Sequence, residues 1–285
     1  MDASLLKTDS RTETCAEHGE YTSRLYIKFW SKCPKCTDAV RLAERAESDA
    51  RAKAKKAAAQ TARANALKLS SGLVGRQFDS TFDNFEVSRP EQGDVLAACR
   101  EYVQGFAYDS GNGWTVPLTS LWLIGPPGGG KSHLGAAMVN HLNAELKAGA
   151  RMHSAREIIR LLRSTWSKDN PPHTPSYETE LGYVQGRAIT EEMMIEDLGN
   201  APLLVLDEVG VSFGSDAEHV QLFDVLDLRY RLQLPTVLLS NLKTAELKSA
   251  LGDRVFDRLR EGATVRMCSW ASYRGEFARR VGGAV

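Results

Sequence analysis

Apolar runs of strand length alternate with apolar residues at helical spacing through the second half of the 285-residue chain. Leu121-Trp122-Leu123-Ile124 is an unbroken apolar run. Behind it Leu134, Ala137, Met138, His141 and Leu142 recur at helical intervals and predict a helix ending near Gly149. Met152 to Ser154 predicts the next strand and Glu157 to Trp166 the next helix. The run Pro202-Leu203-Leu204-Val205-Leu206 reads as a central strand covered on both faces. Val220, Phe223, Leu226 and Tyr230 follow at helical spacing, and Thr236 to Leu239 and Thr264 to Met267 complete the strands. This alternation predicts an α/β domain over residues 72–285, a parallel sheet flanked by helices. Lys168 to Gly182, with Pro171, Pro172 and Pro175, reads as a mobile surface loop.

Ahead of this domain the pattern changes twice. Residues 1–36 hold Cys15-Ala-Glu-His18 and Cys33-Pro-Lys-Cys36, separated by an alternating stretch from Tyr21 to Trp30 that suits a small hairpin. So short a unit buries too little apolar surface to fold without a staple. Cys15, His18, Cys33 and Cys36 supply four ligands of the kind that close a tetrahedral Zn²⁺ site, and four protein ligands leave no open position for catalysis. The expectation is a structural zinc module. Residues 37–71 are Ala-rich and basic, with Arg41, Arg45, Arg51, Lys53, Lys55, Lys56, Arg63 and Lys68 outweighing Glu44, Glu47 and Asp49. They predict a solvated, partly frayed helix, either a plain spacer or an arm that contacts a partner.

Composition adds exclusions. Lys plus Arg and Asp plus Glu both number 36, so whole-chain charge points to no partner. No apolar stretch approaches the ~20 residues of a membrane span. The start, Met1-Asp2-Ala3-Ser4, lacks a basic-then-apolar secretion signal. Five cysteines, two in a C-x-x-C pair, fit a reduced cytoplasmic protein with a metal site better than a disulfide scaffold. Cys99 and Cys268 have no candidate ligand near them in sequence and read as buried core thiols.

The first strand runs into Gly125-Pro126-Pro127-Gly128-Gly129-Gly130-Lys131-Ser132, which fills the G-x-x-x-x-G-K-[ST] phosphate-loop pattern. Its glycines let backbone N–H groups converge on phosphate oxygens at a helix N-terminus. Lys131 is expected to reach the outer phosphates, Ser132 to hold Mg²⁺, and His133 to stand among the nucleotide-contacting residues. Asp207 closes the 202–206 run and is expected to partner Ser132 at the Mg²⁺ ion. Glu208 is suited to orient or deprotonate an attacking water. ATP binding with hydrolysis is the expected activity. Asn241, after the strand 236–239, can bond a γ-phosphate and the water together. Arg254 and Arg258 lie four apart on one helical face, placed to reach a nucleotide on a neighbouring subunit or to pair with Asp253, Asp257 and Glu261. Arg274, in Ser272-Tyr-Arg-Gly275, is a second candidate cation.

Phe82-Asp-Asn-Phe85, Gly125 to Ser132, Leu161 to Trp166, Leu203 to Gly210, Ser240-Asn241, Gly252 to Glu261 and Ser272 to Gly275 occur together, in an order similar to that of the DnaC/IstB group of AAA+ ATPases. Within that group the sequence most resembles bacterial or phage helicase loaders. The resemblance implies an AAA+ core without a substantial C-terminal lid, ATP held between subunits of a spiral oligomer, and single-stranded DNA in its channel. It also implies Arg258 as arginine finger, Arg254 as its auxiliary, Arg274 as a second sensor, and DNA contacts on the helix carrying Arg156, Arg160 and Arg163. By analogy, residues 1 to about 70 are expected to bind the hexameric replicative helicase. The alternatives are a transposition helper acting on duplex DNA and a nucleotide-gated adaptor that does no catalysis.

Overall fold

The computed structural model describes residues 9–167, 169, 171–174, 177–179, 182–184, 186–210 and 216–273. The chain divides into two units, Met1–Arg63 and Ala64–Val285. In the first, β1 (Ser10–Cys15), β2 (Gly19–Tyr26) and β3 (Phe29–Trp30) form an antiparallel sheet in the order β1-β2-β3. Helix α1 (Pro34–Ser70) starts inside the second cysteine pair, so Cys36 belongs to its first turn. It runs without interruption through the segment expected to fray, and its Ala, Lys, Arg and Glu content is the local reason.

In the second unit a 3₁₀ turn (Gly75–Asp79) leads to α2 (Pro90–Gln104) and a hairpin of β4 (Ala107–Asp109) and β5 (Gly113–Thr115). There follow β6 (Leu121–Ile124), α3 (Lys131–Glu145), β7 (Arg151–Ser154) and α4 (Ala155–Ser164). Next come β8 (Tyr177–Thr179), β9 (Gly182–Val184), α5 (Glu191–Gly199), β10 (Leu204–Val209) and α6 (Asp216–Arg231). The chain continues with β11 (Thr236–Ser240), α7 (Thr244–Leu251), α8 (Asp253–Arg260) and β12 (Thr264–Met267). The main sheet is parallel throughout, in the order β12-β6-β11-β10-β7.

Alternate residues of the central strands feed two cores. Leu121, Leu123, Val205, Val237 and Leu239 pack with α2 and α3. Trp122, Ile124, Leu204, Leu206 and Leu238 face α4, α6, α7 and α8. Both sides of the period-two pattern are apolar because both are covered.

Local chemistry shifts several expected boundaries. α3 stops at Glu145 because Lys147 adopts φ 53° and the Ala148 N–H turns back to the Leu142 carbonyl at 3.3 Å. α4 begins at Ala155 because Ser154 and Glu157 form a reciprocal cap, with bonds of 3.2 and 2.9 Å. β10 extends to Val209, which puts Asp207 and Glu208 inside the strand. The expected loop at 168–182 lies partly outside the described residues. Within it and just beyond, β8 and β9 pair antiparallel, as their Tyr, Thr and Val content favours.

The buried face of α6 also differs from the expected stripe. Val220 and Tyr230 are exposed, whereas Leu222, Val225, Leu226 and Arg229 are buried. Arg229 is only 1% exposed and is held by oxygens. Its Nε donates to Thr236 Oγ1 at 3.0 Å, its Nη1 to the carbonyls of Leu198, Gly199 and Ala201 at 3.0, 3.2 and 2.7 Å, and its Nη2 to the Pro235 carbonyl at 2.5 Å. The guanidinium ties the end of α5 to the start of β11. Arg229→Leu is expected to lower unfolding free energy by about 3 kcal/mol or more, since several buried carbonyls lose their donor. Urea denaturation of the two proteins checks this, and an unchanged midpoint would contradict it.

Candidate functional site

The parallel sheet brings the ends of β6, β10, β11 and β12 to one edge, where ligands bind in such folds. β6 delivers the chain into the phosphate loop, and the Gly125 N–H stitches it to β11 through the Ser240 carbonyl at 3.1 Å. Gly130 caps α3 at φ 81°, where a Cβ would lie 2.6 Å from the Phe85 ring. Gly128 has φ 83°, and a Cβ there would meet Ser272 Oγ at 2.0 Å. The segment after β12 closes on this loop. Trp270 Nε1 donates to the Gly129 carbonyl and the Tyr273 N–H to the Gly128 carbonyl, each at 3.0 Å. Lys131 is buried, its Nζ donating to the carbonyls of Gly125 and Pro126 at 2.8 Å each.

The acids stand opposite. The Ser132 hydroxyl hydrogen-bonds Asp207, whose Oδ1 also accepts from the Glu208 N–H at 2.8 Å. Burial dominates the Asp207 environment and pushes its carboxyl above the ordinary range. Glu208 is exposed and has φ 53°, and the pairing of β10 with β11 slips between Leu206 and Val209. A non-glycine residue held in that conformation at a strand irregularity is a common signature of functional sites. Ser240 Oγ donates to the Val209 carbonyl at 2.5 Å and accepts from the Leu242 N–H at 3.0 Å, fixing the turn that presents Asn241.

These groups share one cavity of about 370 Å³, lined by Pro127 to His133, Asp207, Glu208 and Asn241. Asn84, Phe85, Glu86, Gln92, Trp270 and Tyr273 also line it, and motif spacing alone did not assign them to the site. The signal for the first two was the Phe82–Phe85 motif, whose role the structure makes clear. Asn84 and Thr81 bond each other reciprocally at 2.8 and 3.1 Å. His133 Nε2 bonds the Thr81 carbonyl at 2.9 Å, and its ring packs on Phe85 at 5.7 Å. His133 thus fastens the segment to α3 as well as lining the cavity.

The candidate arginines lie elsewhere. Arg254 is exposed on α8. Arg258 forms an ion pair with Asp227 of α6, and its guanidinium lies 4.6 Å above the Phe223 ring and 5.4 Å from that of Tyr230. Neither lines the cavity of its own chain. Arg274 lies outside the described residues. Arg156, Arg160 and Arg163 are all exposed on α4.

The N-terminal ligands converge as well. The ligand atoms of Cys15, His18, Cys33 and Cys36 all lie within 4.8 Å of one another. Cys15 Sγ is 3.6 Å from Cys36 Sγ, and His18 Nδ1 is 3.7 Å from the first sulfur and 3.2 Å from the second. Ligands ~2.0–2.3 Å from a tetrahedral zinc stand at about these separations, so the four residues fit the ion. Backbone N–H donation from Glu17, followed by the His18 side chain, lowers the Cys15 thiol to about 6. Cys36, hydrogen-bonded to Cys15, is raised to about 11. Cys99 and Cys268 are fully buried, and burial pushes their thiols up to about 12 and about 11.

Removing the metal by chelation, or Cys36→Ser, is expected to abolish bound zinc by mass spectrometry and melt the β1–β3 sheet, with ATP affinity unchanged. Retention of that sheet without metal would contradict the structural role. A separate outcome concerns Asp207. Its native pKa is raised above that of the unfolded chain. Its stabilising contribution is therefore complete below the unfolded pKa and lost as pH rises through the native one, leaving a destabilising buried carboxylate at neutral pH. Asp207→Asn should raise the ligand-free melting temperature at pH 7 and lose that advantage towards acid pH. A lower melting temperature at pH 7 would contradict it.

Comparison with known proteins places this geometry. No protein-family model matches the chain. Replicative helicase loader DnaC of Escherichia coli strain K12 is 30% identical over 205 residues, covering 72% of this chain and 73% of that protein. Its counterpart in Buchnera aphidicola (strain APS of subspecies Acyrthosiphon pisum) is 29% identical over the same shares. A crystal structure of the DnaC helicase loader superposes with a TM-score of 0.50 at 21% identity, covering 68% of this chain and 99% of that one. The DnaI crystal structure gives 0.51 at 17% identity, over 70% and 94%. These two likenesses are of fold, the AAA+ nucleotide-binding fold that the sheet order and phosphate loop describe. On its sequence identity and coverage, the chain belongs to the DnaC family of replicative helicase loaders.

Proposed function

We propose that this protein is an ATP-dependent loader that places a hexameric replicative helicase on single-stranded DNA. The observation that carries the reading is the convergence of Lys131, the Ser132–Asp207 pair, Glu208 and Asn241 on one cavity in a chain of this family. Lys131 stands at the loop mouth for the outer phosphates. Magnesium, held through Ser132 and Asp207, would neutralise charge on those phosphates. Glu208 is exposed to the cavity as the base or orienting group for an attacking water. Asn241 offers an amide that can bond water and phosphate together.

Charge supports a site completed by a second subunit. Among the described residues lining the cavity, Lys131 is the sole Lys or Arg, against Glu86, Asp207 and Glu208. A triphosphate adds several more negative charges, so further cations must come from beyond this lining. Arg258 suits that role in trans, as the arginine finger of a spiral oligomer. Its bond to Asp227 and its seat over Phe223 hold the guanidinium on α8 rather than in its own cavity. Exposed Arg254 would assist it, and Arg274 would act as a second sensor. The α4 arginines would hold the DNA backbone within the spiral. The domain division expected at residues 36 and 71 is part of the same reading, with residues 1 to about 70 gripping the helicase.

Glu208→Gln is expected to bind ATP normally and hydrolyse it roughly 10²–10⁴-fold more slowly. The helicase should then stay trapped with the loader on single-stranded DNA in a pull-down with ATP. Normal release by this variant would reduce the ATPase to a gate without catalysis. Stimulation of turnover by duplex rather than single-stranded DNA, with no helicase capture, would overturn the loader reading.

A further inference from the structure

Among the described residues, nothing in the N-terminal unit covers one face of its sheet. Cross-strand pairing puts Thr12 opposite Thr22 and Tyr26 opposite Phe29, with Arg24 between them on the same side. All five are exposed. The opposite face is the internal one. There Ser23 is buried, Tyr21 OH donates to Glu13 Oε2 at 2.8 Å, and Arg11 lies 4.2 Å above the Trp30 ring while paired with Glu13.

The uncovered face carries an aromatic platform. The Tyr26 and Phe29 rings stack with centroids 6.0 Å apart and planes 25° from parallel, although 48% and 66% of the two residues remain exposed. The turn between them is held under strain. Ile27, a β-branched residue, has φ 48° and is 96% exposed at the tip. Burial does not explain that apolar cluster. The charge around the tip is mainly basic: between Glu20, exposed at the far end of the same face opposite Thr14, and Asp38, the chain contains Arg24, Lys28, Lys32 and Lys35 and no acid. All four cations are exposed. Stacking rings interleaved with exposed cations are the combination that binds single-stranded nucleic acid without reading sequence.

We propose that this face is a single-stranded nucleic-acid contact, separate from any contact in the ATPase core. Unpaired bases stack on Tyr26 and Phe29 while Arg24 and Lys28 neutralise the flanking phosphates. A protein partner would use the same apolar tip, but the run of cations without a single acid favours a polyanion. The proposal extends the loader reading by giving the strand a second hold beyond the core, and it stands or falls on different residues.

The test uses the full-length, zinc-loaded protein and a fluorescein-labelled oligothymidylate, with affinity read by anisotropy across a salt series. The double variant Tyr26→Ala/Phe29→Ala should weaken binding about tenfold or more. Arg24→Gln/Lys28→Gln should reduce the slope of log affinity against log salt by about 1.4, or ~0.7 per lost phosphate contact. Zinc content and ATP turnover should not change, because every substituted side chain is exposed. The triple variant Arg156→Ala/Arg160→Ala/Arg163→Ala separates the two sites. If it weakens binding while the tip variants do not, the second contact is overturned and the core reading stands. If the tip variants lose helicase capture at unchanged DNA affinity, the face is a protein-docking surface and the proposal is again overturned.

Discussion

The constraint on which the rest depends is electrostatic. Parallel strands bring several chain ends to one edge of the sheet, and here those ends carry Asp207 and Glu208 beside a loop built to receive phosphate. Within the described lining only Lys131 opposes these two acids and Glu86. Such a cavity is poorly matched to a triphosphate until cations are added. Burial already holds Asp207 above its ordinary carboxyl range, because taking an acid out of water disfavours its charged form. The proposed divalent ion and the proposed guanidinium from a second chain would relieve that imbalance.

The fold connects this edge to α8 through packing. β6 ends at the phosphate loop, and its Trp122 ring meets Phe256 at 5.7 Å in an edge-on contact. Phe256 lies between Arg254 and Arg258 in sequence, and its burial leaves Arg254 exposed. Asp227 and the Phe223 ring then restrict Arg258 to one side of the helix. On the other side of the sheet His133 and Phe85 join the Thr81–Phe85 segment to the first turn of α3. The cavity is therefore walled by parts of the chain far apart in sequence.

Much of this was legible in the residues. The phosphate loop, the buried strands and the four zinc-type ligands rest on local spacing, and the structure brings each set together. What escaped the sequence depended on tertiary context. Arg229 occupies a core position because five oxygens from the end of α5 and the start of β11 surround that point, and no helical pattern records those partners. The stripe drawn through Val220 and Tyr230 failed for the same reason. The roles of Trp270 and Tyr273 arise only when the chain after β12 folds back on the phosphate loop. Cap chemistry set the ends of α3 and α4 where apolar periodicity alone placed them elsewhere.

The central claim is that one chain's cavity is completed by another chain's arginine. Mixing two inactive variants tests it most directly: Lys131→Ala, which retains Arg258 but not the phosphate-binding ammonium, and Arg258→Ala, which retains the cavity. Each should fold and assemble, and show little ATP turnover alone in the presence of helicase and single-stranded DNA. Turnover recovered on mixing is the predicted result, because hybrid interfaces pair an intact cavity with an intact arginine. Full activity of Arg258→Ala on its own, or no recovery between two folded and assembled variants, would contradict the account.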